Sequence, residues 1–341
     1  MPILSVCIPT YNRAEHLAAT LDSLLVARRD FDVEIVISDN ASSDTTLEVC
    51  RQYVNQHPNI VYTRNTTNLG ADLNYLKVVS TASGSYCWLF GSDDIAESES
   101  IARILKSIES GSDVYILGFM LCDGAMNPKV PQRIFTRRDD FVLDLSEPSR
   151  RKEYFETAVT SPAIFSFLGS LVFRKSVWDE SVINIAEFNG SLWIHVAKFF
   201  QAMKNKIVIE SINSICLYKR GDNDSFMDKG LANRLSVQIA GFHRLADYFF
   251  VKDSIESLNI KRIIRNEIQL RDLLFAKILA QRSESYHDIK LLNQLACLNW
   301  CNAGPKYFIA LWIFRVAFAP IITRAFISLI DLKRLILREL S

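Results

Sequence analysis

The chain has almost no net charge. Its 39 basic and 38 acidic residues among 341 leave a formal +1. That is too little of either sign for the broad field a nucleic-acid partner needs, so none is expected. Paired cysteine spacing is also missing. The seven cysteines are odd in number and fall mostly in apolar runs, which predicts buried free thiols rather than a disulfide framework. Cys297 and Cys301 stand four apart on an expected helix. With no His or Cys nearby, they read as packing residues and not as half of a metal site. No basic leader precedes the first apolar segment, because Met1–Pro9 runs straight into a strand pattern; a reducing, cytoplasmic location is expected. No period repeats along the chain, which excludes solenoids. No glycine- and lysine-rich phosphate loop follows the first strand, where Pro9-Thr-Tyr-Asn-Arg13 stands instead.

What is present is an alternation. At 341 residues the chain is one large domain or two modest ones. Leu4–Ile8, Val33–Ser38, Ile60–Arg64, Tyr86–Phe90 and Asp113–Phe119 read as strands. Between them Arg13–Leu25, a segment from Asp44 to about Val54, Leu73–Ala82 and Glu97–Ile108 read as helices. Apolar strands alternating with amphipathic helices predict an α/β, doubly wound, mostly parallel sheet. Asp123–Pro148 breaks the pattern with Gly, Pro and charge, and reads as a surface excursion or an acceptor-side loop. Ser166–Phe173 and Lys206–Lys219 read as further strands. From about Leu231 only helix is expected, so the division falls at 1–225 for the sheet-bearing part and 226–341 for a helical C-terminal extension.

Polar groups gather where the strands end. Ser85–Asp94 (SYCWLFGSDD) is an aromatic strand closing on Gly91, Ser92, Asp93 and Asp94. Val33–Asp39 ends in an acid, and the first strand ends in Pro9, Thr10 and Tyr11. Three such ends describe one crevice, the place where open α/β sheets bind ligands. Paired carboxylates there suit a hard divalent cation, which would in turn hold a phosphate. Bland readings stand beside these. Asp39 also suits a helix cap, Asp93 and Asp94 a solvated turn before a helix, Gly70 an ordinary turn and Arg13 a surface charge.

The segments CIPTYNR, VISDNASSDTT, RNTTNLGADLN and WLFGSDD, in this order and spacing, resemble family 2 glycosyltransferases of the GT-A fold over roughly residues 1–225. NLGADLNYL followed by YCWLFGSDD is similar to the abequosyltransferase-like O-antigen branch, whose members add a dideoxyhexose to a lipid-linked unit. The resemblance implies a nucleotide-sugar donor, Mg²⁺ or Mn²⁺, and a lipid-linked glycan acceptor. It implies that Pro9, Thr10, Tyr11 and Arg13 grip the nucleoside and that Asp39 bonds the pyrimidine base. Arg64, Asn68, Gly70 and Asn74 would line and brace the nucleotide loop. Asp93 would hold the metal with Asp94, which would also serve catalysis, while Ser92 would contact the nucleotide-sugar and Arg220 and Ser225 would bond the pyrophosphate from a closing loop. Two departures stand out. Gly91 occupies the place of the first acid of the metal motif, leaving more of the metal work to Asp93 and Asp94. The Glu-Asp pair that supplies the general base is absent, and His195 and Glu187 are the nearest groups able to take the acceptor's proton. Histidine fits by its pKa, although a packed helix histidine and a surface glutamate are the plain alternatives.

Tyr307–Ile330 is long and apolar, but Arg315, Pro320 and Arg324 interrupt it. A mid-bilayer arginine costs at least ~2.5 kcal/mol, so two short helices fit better than one span. Residues 301–341 carry six basic and two acidic groups, a local +4. A cationic, aromatic-rich tail suits peripheral attachment to the anionic inner face of the cytoplasmic membrane; a core helix hairpin or a homo-oligomer interface are the alternatives. Three competing functions remain: the same chemistry with a UDP- or dTDP-sugar, a catalytically silent nucleotide-sugar-binding subunit, and a metal-assisted nucleotidyltransferase. The last would want the phosphate loop that the chain lacks.

Overall fold

A computed structural model describes residues 1–222 and 229–301 together with Gly304, Leu311 and Phe314. The first half alternates as the periodicity predicts: β1 (Leu4–Thr10), α1 (Ala14–Arg28), β2 (Val33–Asp39), α2 (Thr46–Gln56), β3 (Ile60–Arg64), α3 (Ala71–Thr81) and β4 (Tyr86–Leu89). There follow β5 (Ile95–Ala96), α4 (Ser100–Ile108), β6 (Val114–Cys122), β7 (Pro128–Pro131), β8 (Phe141–Asp144) and α5 (Pro148–Thr157). Then come β9 (Leu171–Arg174), α6 (Lys175–Glu180), α7 (Ile185–Phe188), α8 (Ile194–Ala202) and β10 (Val208–Lys219). The helices pack by their apolar stripes. Leu17, Leu21 and Leu24 of α1 and Ile101, Ile104 and Ile108 of α4 are buried, at the three- and four-residue spacings that share a helix face.

The strands form one sheet in the order β3-β2-β1-β4-β9-β6-β10-β5, with β7 on β6 and β8 on β10. β1 to β4 run parallel. Every residue of β4 is buried, as are six of the seven in β1, which is why these strands read as continuous apolar runs. The register sets Thr10 opposite Asp39 and Asp39 opposite Arg64, so the polar ends of β1, β2 and β3 form one rim.

The structure corrects two expectations about the sheet. Ser166–Phe173 is strand only from Leu171, and β9 enters antiparallel between β4 and β6. Before it the chain turns: Phe165 is left-handed at φ 68°, and Leu168–Ser170 forms a short 3-10 turn. That turn is held by Trp88 Nε1, which donates to the Gly169 carbonyl at 2.8 Å. The Asp123–Pro148 excursion is not free of the sheet, since β7 and β8 lie within it.

The chain divides into two compact units, Met1–Asp224 with Phe249–Asn259, and Ser225–Tyr248 with Ile260–Ser341. The second is helical among its described residues. It draws on α9 (Leu231–Phe249), α10 (Ile255–Glu267), α11 (Leu270–Arg282) and α12 (Tyr286–Trp300). Ile260, Ile263, Ile264, Leu273, Leu292 and Leu295 are buried, and Lys277 Nζ donates to Asn293 Oδ1 at 2.8 Å. No helix among the described residues is long and apolar enough to cross a membrane. The expected tail helices of Tyr307–Ile330 lie outside the described residues apart from Leu311 and Phe314.

Candidate active site

The β2–β3 side of the rim is a dense polar lattice. Asp39, the last residue of β2, has no exposed surface. Its Oδ1 accepts the Ser42 N–H at 2.9 Å and its Oδ2 accepts the Tyr62 hydroxyl at 2.8 Å. Arg64 Nε lies 3.4 Å from Oδ2, and Arg64 Nη2 donates to the Ser42 carbonyl at 2.7 Å. Burial first, then the bond to Asp39, pushes the Tyr62 phenol well above its usual range, so it stays a donor.

Four asparagines lock the next loop. Asn40 Nδ2 donates to Asn68 Oδ1 at 2.8 Å and to the Gly70 carbonyl at 3.2 Å. Asn65 donates to Asn40 and Asn74, and Asn74 bonds both the hydroxyl and the carbonyl of Ser38. Gly70 stands at φ 83° ahead of α3, a left-handed turn that favours glycine. The β1 turn is tied in the same way. Asn12 N–H donates to Ser42 Oγ at 2.9 Å, and Ser43 N–H donates to Asn12 Oδ1 at 2.8 Å. Tyr11 is exposed, whereas Thr10 is buried with its hydroxyl unpartnered.

The acid turn is built differently. Arg13 Nη2 lies 3.8 Å from Asp93 Oδ2, with both side chains about one-fifth exposed. Asp94 is buried. Its Oδ1 accepts the Arg220 N–H at 3.0 Å, and its own carbonyl accepts the Thr20 hydroxyl at 2.8 Å. Burial, and then the neighbouring Asp93, pushes the Asp94 carboxyl up to about 7. Gly91 explains how the two acids fit. A Cβ there would stand 2.5 Å from Asp94 Oδ2 and 3.2 Å from Asp93 Oδ1. Oxygens of both carboxylates therefore converge on space that a side chain at position 91 would fill. That convergence, and the hard oxygen donors, fit a divalent cation.

Arg220 is turned into the acid turn. Its Nε donates to the Asp93 carbonyl at 2.9 Å and its Nη1 to the Gly124 carbonyl at 2.6 Å, so it braces the acid turn. Ser92 is buried, and Ser225 lies outside the described residues.

On the expected acceptor side, His195 is buried in α8. Its ring meets Tyr75 edge-on at 5.6 Å and Trp193 at 5.9 Å. Burial lowers its pKa to about 3, and neither ring nitrogen has a hydrogen-bond partner among the described residues. A neutral imidazole of that pKa is a weak proton acceptor near neutrality. Glu187, on α7, is half-buried.

The residue that sequence reasoning missed is Asp72, in the first turn of α3 and 1% exposed. Its Oδ2 accepts the Leu192 N–H at 2.8 Å and its Oδ1 the Ile194 N–H at 3.1 Å. Burial raises its pKa, and the N–H groups of Leu192, Ile194, Gly190 and Ser191 oppose that shift. An acid in a first helical turn reads as a dipole complement, and nothing local signals a partner 120 residues on. Tyr62 was missed as well; its alternation on β3 reads only as strand.

A family profile described as Glycosyl transferase family 2 matches residues 5–179. The abequosyltransferase RfbV of Salmonella typhimurium is 34% identical over 273 residues, covering 77% of this chain and 79% of that protein. An uncharacterized glycosyltransferase, MG025 of Mycoplasma genitalium, is 33% identical over 122 residues, covering 35% of this chain and 40% of that one. Among solved structures, S. aureus TarS 1-349 in complex with UDP-GlcNAc superposes with a TM-score of 0.62 at 17% identity, covering 91% of this chain and 84% of that one. That likeness establishes the GT-A-type architecture: a mostly parallel sheet with flanking helices and a helical C-terminal region.

Proposed function

The chain belongs to glycosyltransferase family 2, and on that footing we propose that it moves a sugar from a pyrimidine nucleotide-sugar to a hydroxyl of a lipid-linked glycan. A CDP-linked dideoxyhexose such as abequose is the first donor, and O-antigen or a related surface polysaccharide the product. The observation that carries this reading is the likeness to an abequosyltransferase along three-quarters of the chain. A UDP-sugar is the second reading, supported by the ligand of the fold neighbour TarS.

Asp93 and Asp94 are the residues to hold Mg²⁺ or Mn²⁺ over Gly91, supported by the convergence of their oxygens there. When bound, such an ion offsets the charge that builds on the departing diphosphate. Arg220 keeps the acid turn in shape. The Asp39–Tyr62–Arg64 cluster and the asparagine lattice set the width of the nucleoside cleft, and Tyr11 offers an exposed ring at its edge. Glu187 is the better candidate to take the acceptor's proton, because His195 is buried and neutral. The +4 segment beyond residue 300 supports a place for the reaction at an anionic membrane face.

The test is thermal-shift titration with CDP, UDP, GDP and dTDP, with and without Mn²⁺. A ligand at 100 times its Kd stabilises by about 2.7 kcal/mol. CDP should give the largest Mn²⁺-dependent shift. UDP in first place would move the donor to the second reading, and GDP in first place would overturn the pyrimidine assignment. A diphosphate that binds while every sugar derivative fails to transfer would favour a silent binding subunit.

A further inference from the structure

Helix α3 begins at the nucleotide loop and ends its first turn against the acceptor-side segment. Four residues in six make this bridge. Gly70, ahead of the helix, accepts from Asn40 through its carbonyl. Asn74 bonds Ser38 at the end of β2. Tyr75 meets the His195 ring. Between them Asp72 gathers the amides of the loop that opens α8.

That loop is closed locally by the Ser191 N–H on the Phe188 carbonyl at 3.0 Å. Gly190 and Leu192 both stand in the left-handed region, at φ 84° and 69°, a conformation that a leucine rarely adopts without external restraint. No side chain of the α8 N-cap, Trp193, caps the helix. Ser191 Oγ accepts the Trp193 N–H at 3.0 Å. The Leu192 and Ile194 N–H groups are met by a carboxylate from another element. A local Ser, Asn or Asp at the cap would satisfy them without burying a charge. The remote acid does something a local cap cannot: it fixes the distance between two parts of the site.

We propose that Asp72 is a positioning residue of the transfer reaction, its carboxylate mooring the acceptor-side loop Gly190–Ile194 to the helix that starts at the nucleotide loop. Ordering of the nucleotide loop is then transmitted to the acceptor side as rigidity, and the acceptor meets a segment already in place. The inference rests on the glycosyltransferase reading for what binds on each side.

Hydrogen–deuterium exchange on the full chain tests it, with CDP or UDP plus Mn²⁺ as the probe. In wild type, nucleotide should slow exchange in residues 65–75 and also in 188–196. In Asp72→Ala the nucleotide Kd should stay within about twofold and slowing in 65–75 should persist. Basal exchange in 188–196 should rise about tenfold or more, and its response to nucleotide should vanish. Asp72→Asn should fall between, because its amide keeps one acceptor and turns a donor toward the remaining N–H groups. If Asp72→Ala does not fold, Gly190→Ala serves. Nothing lies within 4 Å of the Cβ it would add, so it disturbs only the loop's backbone, and it should weaken the transmitted slowing. Slowing in 188–196 that survives Asp72→Ala, its absence from wild type, or a nucleotide Kd that weakens in step with the loop would each overturn the proposal. If neither nucleotide binds wild type, the nucleotide-sugar reading fails and the inference falls with it.

Discussion

At the end of β2, both carboxylate oxygens of Asp39 are bonded and the four asparagines beside it bond one another. On the same rim, after β4, two adjacent carboxylates turn oxygens toward space left by a glycine, and one of them is pushed up to about 7. The first region is finished without a ligand. The second carries charge that burial and a like-charged neighbour leave unfavourable. On the proposed function the difference separates two duties. A surface that sets the shape of a cleft benefits from rigidity, and satisfied polar networks supply it. A surface that must attract a cation benefits from carboxylates whose mutual repulsion the cation relieves.

The sharpest way to break this contrast is to remove one acid. Asp93→Asn should abolish Mn²⁺-dependent diphosphate binding and lower transfer about 10³-fold, the scale of losing charge stabilisation in a transition state. Its stability should stay within about 1 kcal/mol of wild type, since its pairing with Arg13 is long and partly exposed. Wild-type turnover with ordinary Mg²⁺ dependence in this variant would end the metal assignment. Gly91→Ala should act in the same direction more weakly, about tenfold in Mn²⁺ affinity or 1.4 kcal/mol, because its methyl displaces Asp94 Oδ2.

Asp39→Ala should behave in the opposite way. It strands the Tyr62 hydroxyl, the Ser42 N–H and one face of Arg64, so urea unfolding should show a loss of about 2–3 kcal/mol even without ligand. Nucleoside affinity should fall equally with and without metal. A variant as stable as wild type would show that the network around Asp39 is incidental.

The acceptor side offers a smaller effect that is read by pH. His195 has a folded pKa near 3, below the usual 6.5. Its neutral burial therefore contributes stability that is fully present above about pH 6.5 and is lost as the pH falls toward 3. The slope is at most about 1.4 kcal/mol per pH unit. His195→Phe should flatten that acid limb in thermal unfolding and leave the pH dependence of kcat between 6 and 8 where it was. A kcat profile that loses its basic-form limb in this variant would return His195 to the role of proton acceptor.

Much of this was legible in the chain. The β/α alternation could be read because parallel strands buried on both faces are continuous apolar runs, and helices between them carry three- and four-residue stripes. Asp39 and Asp93 could be read as carboxylates closing apolar runs, but not whether they cap, turn or bind. Arg220 was visible as a basic residue after a long strand, but its direction was not. Its amide meets Asp94 across 126 residues, and only the pairing of β10 with its neighbours sets that approach. His195 was legible as a titratable group and misleading as a base, since a sequence shows a residue's type and not its burial.

Sequence by itself determined what the chain makes locally: strands that end in polar turns, helices with one apolar face, a pair of adjacent acids after a glycine, and a basic C-terminal segment. Tertiary structure decided what those pieces mean to one another. It placed Asp94 in the space that Gly91 leaves, inserted β9 antiparallel into a parallel sheet, and brought a helix-start carboxylate at Asp72 onto amides 120 residues away. Local propensity and periodicity are written within a few turns of chain. The worth of a buried charge depends on which N–H groups and carboxylates surround it, and those arrive only when the sheet closes.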